Sequence, residues 1–410
     1  MWREAAGTVR LDGKGDAVGD RDWGAAFDHF DPAYAAAPFE IWDELRTGCP
    51  VAVSPRFRGM VVPTRHADIE AVARDTGTWS SRSPLVADFG SVADFGLVVP
   101  PISSDPPYHT GFRKLLLPFF SPQRVEALRP AIAEHCDALI DGFGAGRCDG
   151  AQDYAQHIPV HVITMLLGIP PEDGDLFRGW IHHLLEAGPV DIESAAAGLD
   201  PFAAYLTEQV ERRQRDGYGD DLISFLLQAE LDGRPLTGDE VFGGCLLLLV
   251  AGIDTTWSAI GAALWHLGSH LEDQARLREE PALLATAVEE LLRAYAPVTM
   301  AREAAVDTEL AGCPVAAGTP LLLPFPAANR DPALFERADE VVLDRSPNRH
   351  VAFGVGIHRC LGSHLARLEL TVAVERFLAR VPSFEVADPG AVRWSTGQVR
   401  GPRTLPLALR

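Results

Sequence analysis

Apolar residues recur three and four positions apart over 124–143, 158–167, 203–215, 220–231, 238–271, 282–295 and 360–379, a spacing that predicts helices. Shorter apolar runs at 51–53, 59–62, 308–310, 320–324 and 405–409 predict strands. The expected fold class is therefore mainly α with minor β. The most continuous apolar stretch, 245–253, is bounded by Asp239 and Glu240 on one side and Asp254 on the other. A membrane span needs about 20 apolar residues, so this stretch predicts a buried helix and no membrane partner.

The 410 residues are 47% hydrophobic, enough for a large core, and no shift in composition, repeat or low-complexity tract divides them. Short clusters such as Gly144-Ala145-Gly146 and Gly188-Pro189 mark turns rather than linkers. One domain over 26–410 is expected, after a loose N-terminal tail over 1–25. The first 19 residues are polar and lack the basic start and apolar run of a secretory signal. A net charge of −21 argues against nucleic-acid partners and against an anionic membrane surface. Six cysteines, Cys49, Cys136, Cys148, Cys245, Cys313 and Cys360, are scattered without a paired framework, which points to reduced thiols and a cytoplasmic location. Five of them read as ordinary small apolar residues.

Cys360 differs. It closes the segment Phe353-Gly354-Val355-Gly356-Ile357-His358-Arg359-Cys360-Leu361-Gly362, and a predicted helix follows. Two glycines bracketing Val355 allow a tight turn. Amide N–H groups at the helix mouth and the charge of Arg359 are expected to favour a thiolate. Gly362 removes bulk where something flat must approach. His350, His358 and His364 near this cysteine raise zinc as an alternative, but the closely paired ligands of a zinc site are missing.

A second segment, Ala251-Gly252-Ile253-Asp254-Thr255-Thr256, sets an acid and two hydroxyls directly after the buried apolar run. A buried acid is costly without partners. A threonine in a helix commonly bonds back to a carbonyl of its own helix. Ala251 and Gly252, however, leave room for a ligand and allow a local kink. Glu290 and Arg293 are three apart and share one helix face.

The cysteine segment resembles in full the haem-binding loop of cytochromes P450, Phe-x-x-Gly-x-x-x-Cys-x-Gly, and the second segment resembles the oxygen-binding motif of the same family. The resemblance runs from about Phe27 to the C-terminus, is to the soluble bacterial members, and implies the triangular, α-rich haem-thiolate fold with haem b as cofactor. It makes Cys360 the axial iron ligand, which favours O–O cleavage. Phe353, Gly354, Gly362, Ala251 and Gly252 would border the haem. Asp254 becomes the acid that relays protons and Thr255 the alcohol that orients dioxygen and its water. Glu290, Arg293 and a later Arg345 become a structural brace for the cysteine loop. His109 and Arg113, with Arg302 and His358, take the places of partners to the haem propionates.

By the same resemblance the substrate pocket is lined by the segment 86–99, with Phe89, Phe95 and Leu97, by Trp180 and Leu184, and by Leu247, Val250 and Ala251. Val298, Thr299, Met300, Gln398 and Val399 complete it. Most are apolar, which implies a hydrophobic small molecule or natural product of secondary metabolism, with core packing as the competing reading of each. The implied activity is a monooxygenase that puts one oxygen atom of O2 into substrate. No flavin or nicotinamide domain fits beside a haem domain of this length. Electrons are therefore expected from a ferredoxin or flavodoxin with an NAD(P)H-dependent reductase, docking on a monomer near Lys114, Arg349, Arg359 and Arg367. A P450-type oxidase for phenol coupling or desaturation, a peroxide-driven variant, and a haem sensor or zinc-stabilised structural protein without turnover are the other readings.

Overall fold

In the computed structural model, which describes residues 22–48, 50–86, 98–187 and 191–410, the apolar run predicted as a buried helix is the axis of the main core. Thr237 starts it with a capping box: its hydroxyl accepts from the Glu240 amide at 3.2 Å, and the Glu240 carboxylate accepts from the Thr237 amide at 2.7 Å. The predicted single helix is in fact two, Gly238–Gly252 and Asp254–Ser269, separated at Ile253, whose ψ of −64° leaves the regular path. Among the described residues this is the one helical stretch long and apolar enough to cross a membrane, and most of it is buried inside the protein. Leu246, Leu249, Ile253, Ile260, Leu264 and Leu267 all lie in the core.

Other boundaries moved for local reasons. The stretch 124–143 divides into Pro122–Glu126 and Arg129–Asp141 because Pro130 lacks the N–H that would join them. The stretch 220–231 keeps helix only over Leu222–Gln228, capped by Asp221, and then enters a hairpin pairing Glu230–Leu231 with Arg234–Pro235. Asp232 and Gly233 turn it with φ of +53° and +78°, the left-handed pair that an Asp-Gly hairpin uses. The helix predicted from Cys360 begins three residues later, as Ser363–Arg380.

A five-stranded sheet lies in the order Val51–Val53, Val61–Pro63, Pro320–Pro324, Thr299–Ala304, Trp79–Ser80. Its central pair is antiparallel, with Leu321 opposite Arg302 and Leu323 opposite Met300. Thr299–Ala304 was missed because Ala, Arg and Glu weaken the strand signal. Within the stretch expected to be a tail, Asp22 caps the helix Trp23–Ala26, and Trp23 is buried against Phe27, which in turn meets Tyr34 and Trp42.

Glu290 and Arg293 are both 0% exposed. They form a two-bond pair at 2.8 Å. Arg345 joins Glu290 at 2.9 and 3.0 Å, and the Val342 amide and the Asn348 side chain donate to the same carboxylate. Arg293 also donates to the carbonyls of Asn329, Ala338 and Glu340, and so ties its helix to the chain running towards the cysteine loop. Removing one partner strands buried charge. E290Q is expected to lower unfolding stability by about 3–5 kcal/mol, measured by urea titration, whereas a loss within the range of ordinary surface substitutions would contradict the bracing role.

Candidate active site

The cysteine loop is a closed turn. The Cys360 amide donates to the Phe353 carbonyl at 2.8 Å, Gly354 to Val351 at 2.9 Å and Arg359 to Gly356 at 3.2 Å. Gly354 and Gly356 have φ of +65° and +74°. A Cβ on Gly356 would fall 2.6 Å from the Ala73 carbonyl oxygen, a backbone atom with nowhere to go. Gly362 is different, since a Cβ there would meet Phe120 at an ordinary 3.9 Å. The helix Leu284–Ala294 also reaches the loop. Glu289, overlooked in favour of its neighbour Glu290, binds Arg367 at 2.6 and 2.8 Å and His350 at 2.9 Å, and Arg367 covers the Phe353 ring at 4.3 Å. The signal was the adjacent acid pair, of which only one acid had a partner assigned.

Cys360 is exposed, yet burial pushes its thiol above the ordinary value, outweighing the Gly362 amide and the charges of Arg113, Arg359 and Arg367 that pull it down. The bare protein therefore does not favour the thiolate as expected; desolvation outweighs the donors. A group is both deep and open only where protein surrounds a space beside it. Arg113, on the helix Tyr108–Leu116, donates to the Arg359 carbonyl at 2.5 Å and so ties that helix to this space.

The four residues expected around the propionates are brought together. The rings of His109 and His358 are 4.2 Å apart. Nε2 of His358 is buried without a hydrogen-bond partner, and the ring nitrogens of His109, beside the Ile357 backbone, make no well-aligned one. His358 is lowered to about 2 by burial, then by Arg302, His109 and Arg113; Arg302 is lowered to about 10 by burial; His109 and Arg113 are also lowered, burial first. Every group moves towards shedding positive charge. The nearby acid, Asp105, is already engaged by Ser80 and the Ser81 amide. An anionic group with several acceptor oxygens is what this cluster lacks.

On the central helix Ala251 is exposed although its neighbours Ile253 and Asp254 are buried, so this wall also borders a space within the fold. A Cβ on Gly252 would strike Ile163 at 2.6 Å, so the missing side chain lets that neighbour pack close to the helix. Thr255 bonds back to the Ala251 carbonyl at 2.7 Å, the bonding its residue type favours in a helix. Asp254 is pushed up to about 6 by burial, against the pull of Arg403. Arg403 was missed, because nothing in the local sequence of the C-terminal strand marks it.

Residues expected in the pocket separate. Phe89, Phe95 and Leu97 lie outside the described residues. Trp180 packs with Phe177, Phe202 and Tyr205 and is 8% exposed, so core packing is the better account of it. Leu184, Leu247 and Val250 are half-buried. Strand alternation puts Val298, Met300 and Arg302 on one face and sends Thr299, which is buried, to the other. Val298 pairs with Val399 in an isolated bridge, and the Thr299 amide donates to the Gln398 carbonyl at 2.8 Å. Gln398 is buried with neither side-chain amide atom bonded.

The profile described as Cytochrome P450 matches residues 174–390. The chain is 36% identical over 352 residues to the mycinamicin IV hydroxylase/epoxidase of Micromonospora griseorubida, covering 84% of this chain and 88% of that protein. To the vitamin D(3) 25-hydroxylase of Pseudonocardia autotrophica it is 37% identical over 388 residues, 92% and 93% of the two chains. The solved structure of cytochrome P450 CYP109Q5 from Chondromyces apiculatus superposes with a TM-score of 0.84 at 31% identity, covering 94% of this chain and 98% of that one.

The two loop glycines separate a need of the fold from a need of a ligand. G356A is expected to destabilise the ligand-free chain by more than about 1 kcal/mol, and G362A to leave its urea midpoint unchanged. Equal midpoints for the two variants would contradict the geometry.

Proposed function

The chain belongs to the cytochrome P450 family, monooxygenases that bind haem b, and from that premise we propose that Cys360 is the iron ligand of an enzyme that oxygenates a hydrophobic small molecule. The observation that carries this reading is the Cys360 sulfur, deep in the fold yet open, with cations beside it. Arg302, Arg113, His109 and His358 would hold the two propionates, and the ring nitrogens left without a well-aligned partner on the two histidines and the displaced proton affinities of all four fit such a guest. Phe353, Gly354 and Gly362 would border it on the cysteine side, Ala251 and Gly252 on the other. When bound, the haem supplies the activation of dioxygen that puts one oxygen atom into the substrate.

The chain's own part is position and protons. Thr255 spends its hydroxyl hydrogen on the Ala251 carbonyl. Its oxygen is then left as an acceptor, fixed in direction, for a water or a proton-bearing group in the cavity. Asp254, close to neutral pH in its proton affinity, is suited to hand protons on at the pH of a cell. Leu247, Val250, Val298 and Met300 offer an apolar wall, in keeping with relatives named for mycinamicin IV and vitamin D(3).

Electrons come from outside the chain, and we assign the donor to a ferredoxin or flavodoxin with its NAD(P)H-dependent reductase. Lys114, Arg349 and Arg359 are exposed and can steer an acidic donor. Arg367, expected among them, is occupied by Glu289 and is set aside. A cytoplasmic monomer fits the buried apolar helix and the free thiols.

Thr255→Ala is expected to lower product per electron pair consumed by about tenfold, below the ~10²–10⁴ that a positioned proton-transfer group contributes, with hydrogen peroxide rising to match. Product and peroxide measured against NAD(P)H consumption check it; unchanged coupling would remove Thr255 from the proposed role.

A further inference from the structure

Asp254 sits at the inner end of a chain of charges that leads outward. Arg403, on the strand Pro402–Thr404, reaches the central helix three times: Nη2 lies 2.7 Å from Asp254 Oδ1, Nη1 donates to Ser258 Oγ at 3.0 Å, and the guanidinium lies 4.4 Å from the centre of the Trp257 ring. Its Nε donates to Glu186, on the turn His182–Ala187. Glu186 in turn meets His182 Nδ1 at 3.0 Å. Side-chain exposure falls inward, from 62% at His182 to 27% at Glu186, 14% at Arg403 and 1% at Asp254.

One guanidinium thus serves two carboxylates, and it serves them unequally. Towards Asp254 the contact is close but misaligned: both Asp254 oxygens and Arg403 Nη2 lack a partner with hydrogen-bond geometry. A carboxylate this deeply buried, with its one cation misaligned, is pushed towards its protonated form. How firmly Arg403 holds Asp254 therefore decides how readily the acid keeps a proton, and Glu186 competes for the same arginine.

We propose that Arg403 and Glu186 are positioning residues that together set the protonation of Asp254, Arg403 favouring the carboxylate and Glu186 opposing it. The inference rests on the role proposed above for Asp254. The charged groups that face Asp254 from the packed elements are Arg403 on the C-terminal strand and Glu186 and His182 on the turn His182–Ala187. Arg403 cannot pass a proton itself, since guanidinium does not deprotonate in proteins. Its effect is electrostatic, and its sign is opposite to that of Glu186. Burial holds Asp254 up, Arg403 pulls it down and Glu186 pushes it up. Glu186 itself stays below the usual carboxylate range, because His182 and Arg403 outweigh its burial, so it carries its charge while Asp254 titrates. Loss of Arg403 therefore raises the pH at which Asp254 releases its proton. Loss of the Glu186 charge lowers it.

The test is an infrared pH titration of the haem-loaded resting protein, without electron donor, following the carboxylic acid band that disappears in D254N. The expected results are a midpoint displaced upward by about one pH unit or more in R403Q, downward in E186Q, and near the parent value in R403K, which keeps the charge. Coupling of electrons to product, measured against pH, should move in the same two directions. Midpoints that stay in place, or move the same way in R403Q and E186Q, overturn the inference even if D254N is uncoupled. A D254N protein that couples normally overturns the role of Asp254 instead, and the catalytic consequence drawn here with it, whatever the midpoints do. R403K also guards against misfolding: if R403Q does not fold, an E186Q midpoint that fails to fall is sufficient to overturn the inference.

Discussion

The hydrogen bond from the Cys360 amide to the Phe353 carbonyl closes the loop on which the site depends, and much of the surrounding structure holds that loop in place. Gly356 lies against the Ala73 carbonyl, where no side chain fits. The Asn329 side chain accepts from the Val351 amide at 2.7 Å. Arg367 covers Phe353 and is itself fixed by Glu289, while Glu290 on the same helix anchors Arg293 and Arg345. Two adjacent acids on one helix thus fasten the loop and the chain leading into it. A ligand site must be held by neighbours whose own geometry is fixed, and here those neighbours are ion pairs, buried at Glu290 and half-buried at Glu289, rather than apolar packing alone.

Charge is sorted against the average of the chain. The protein carries −21 overall, yet Arg113 and Arg302 gather at one place with His109 and His358, whose ring nitrogens lack well-aligned partners, and the acid of the central helix lies within a separate set of charges with Arg403, Glu186 and His182. The first arrangement suits a guest carrying carboxylates. The second suits a proton donor whose affinity lies near neutral pH. Both depend on burial, which makes each unpartnered charge costly and so makes each partner decisive.

What could be read from the chain alone was what is local. The Cys360 segment, the Asp254-Thr255 pair and the Glu290-Arg293 spacing each lie within a few residues, and together they carry the resemblance to the family. Pro130 and the Asp232-Gly233 turn were equally legible, and periodicity alone passed over them. Glu289, Arg403 and Glu186 were not legible in the same way, because each acquires its partner through folding from a distant segment. Burial also overrode two local arguments. It raised the Cys360 thiol despite its donors, and it set Trp180 in an aromatic cluster with Phe177 and Phe202. The strand Thr299–Ala304 shows the same limit, since its sheet position comes from Pro320–Pro324 beside it and not from its own residues.

The account stands or falls on the bond between the Cys360 sulfur and iron. The absorption spectrum of the reduced, haem-loaded protein under carbon monoxide reports that bond directly. A strongly red-shifted Soret band, lost in C360H while haem stays bound, is the predicted result. A folded, haem-loaded protein that lacks the shifted band, or one in which C360H keeps it, would contradict the account.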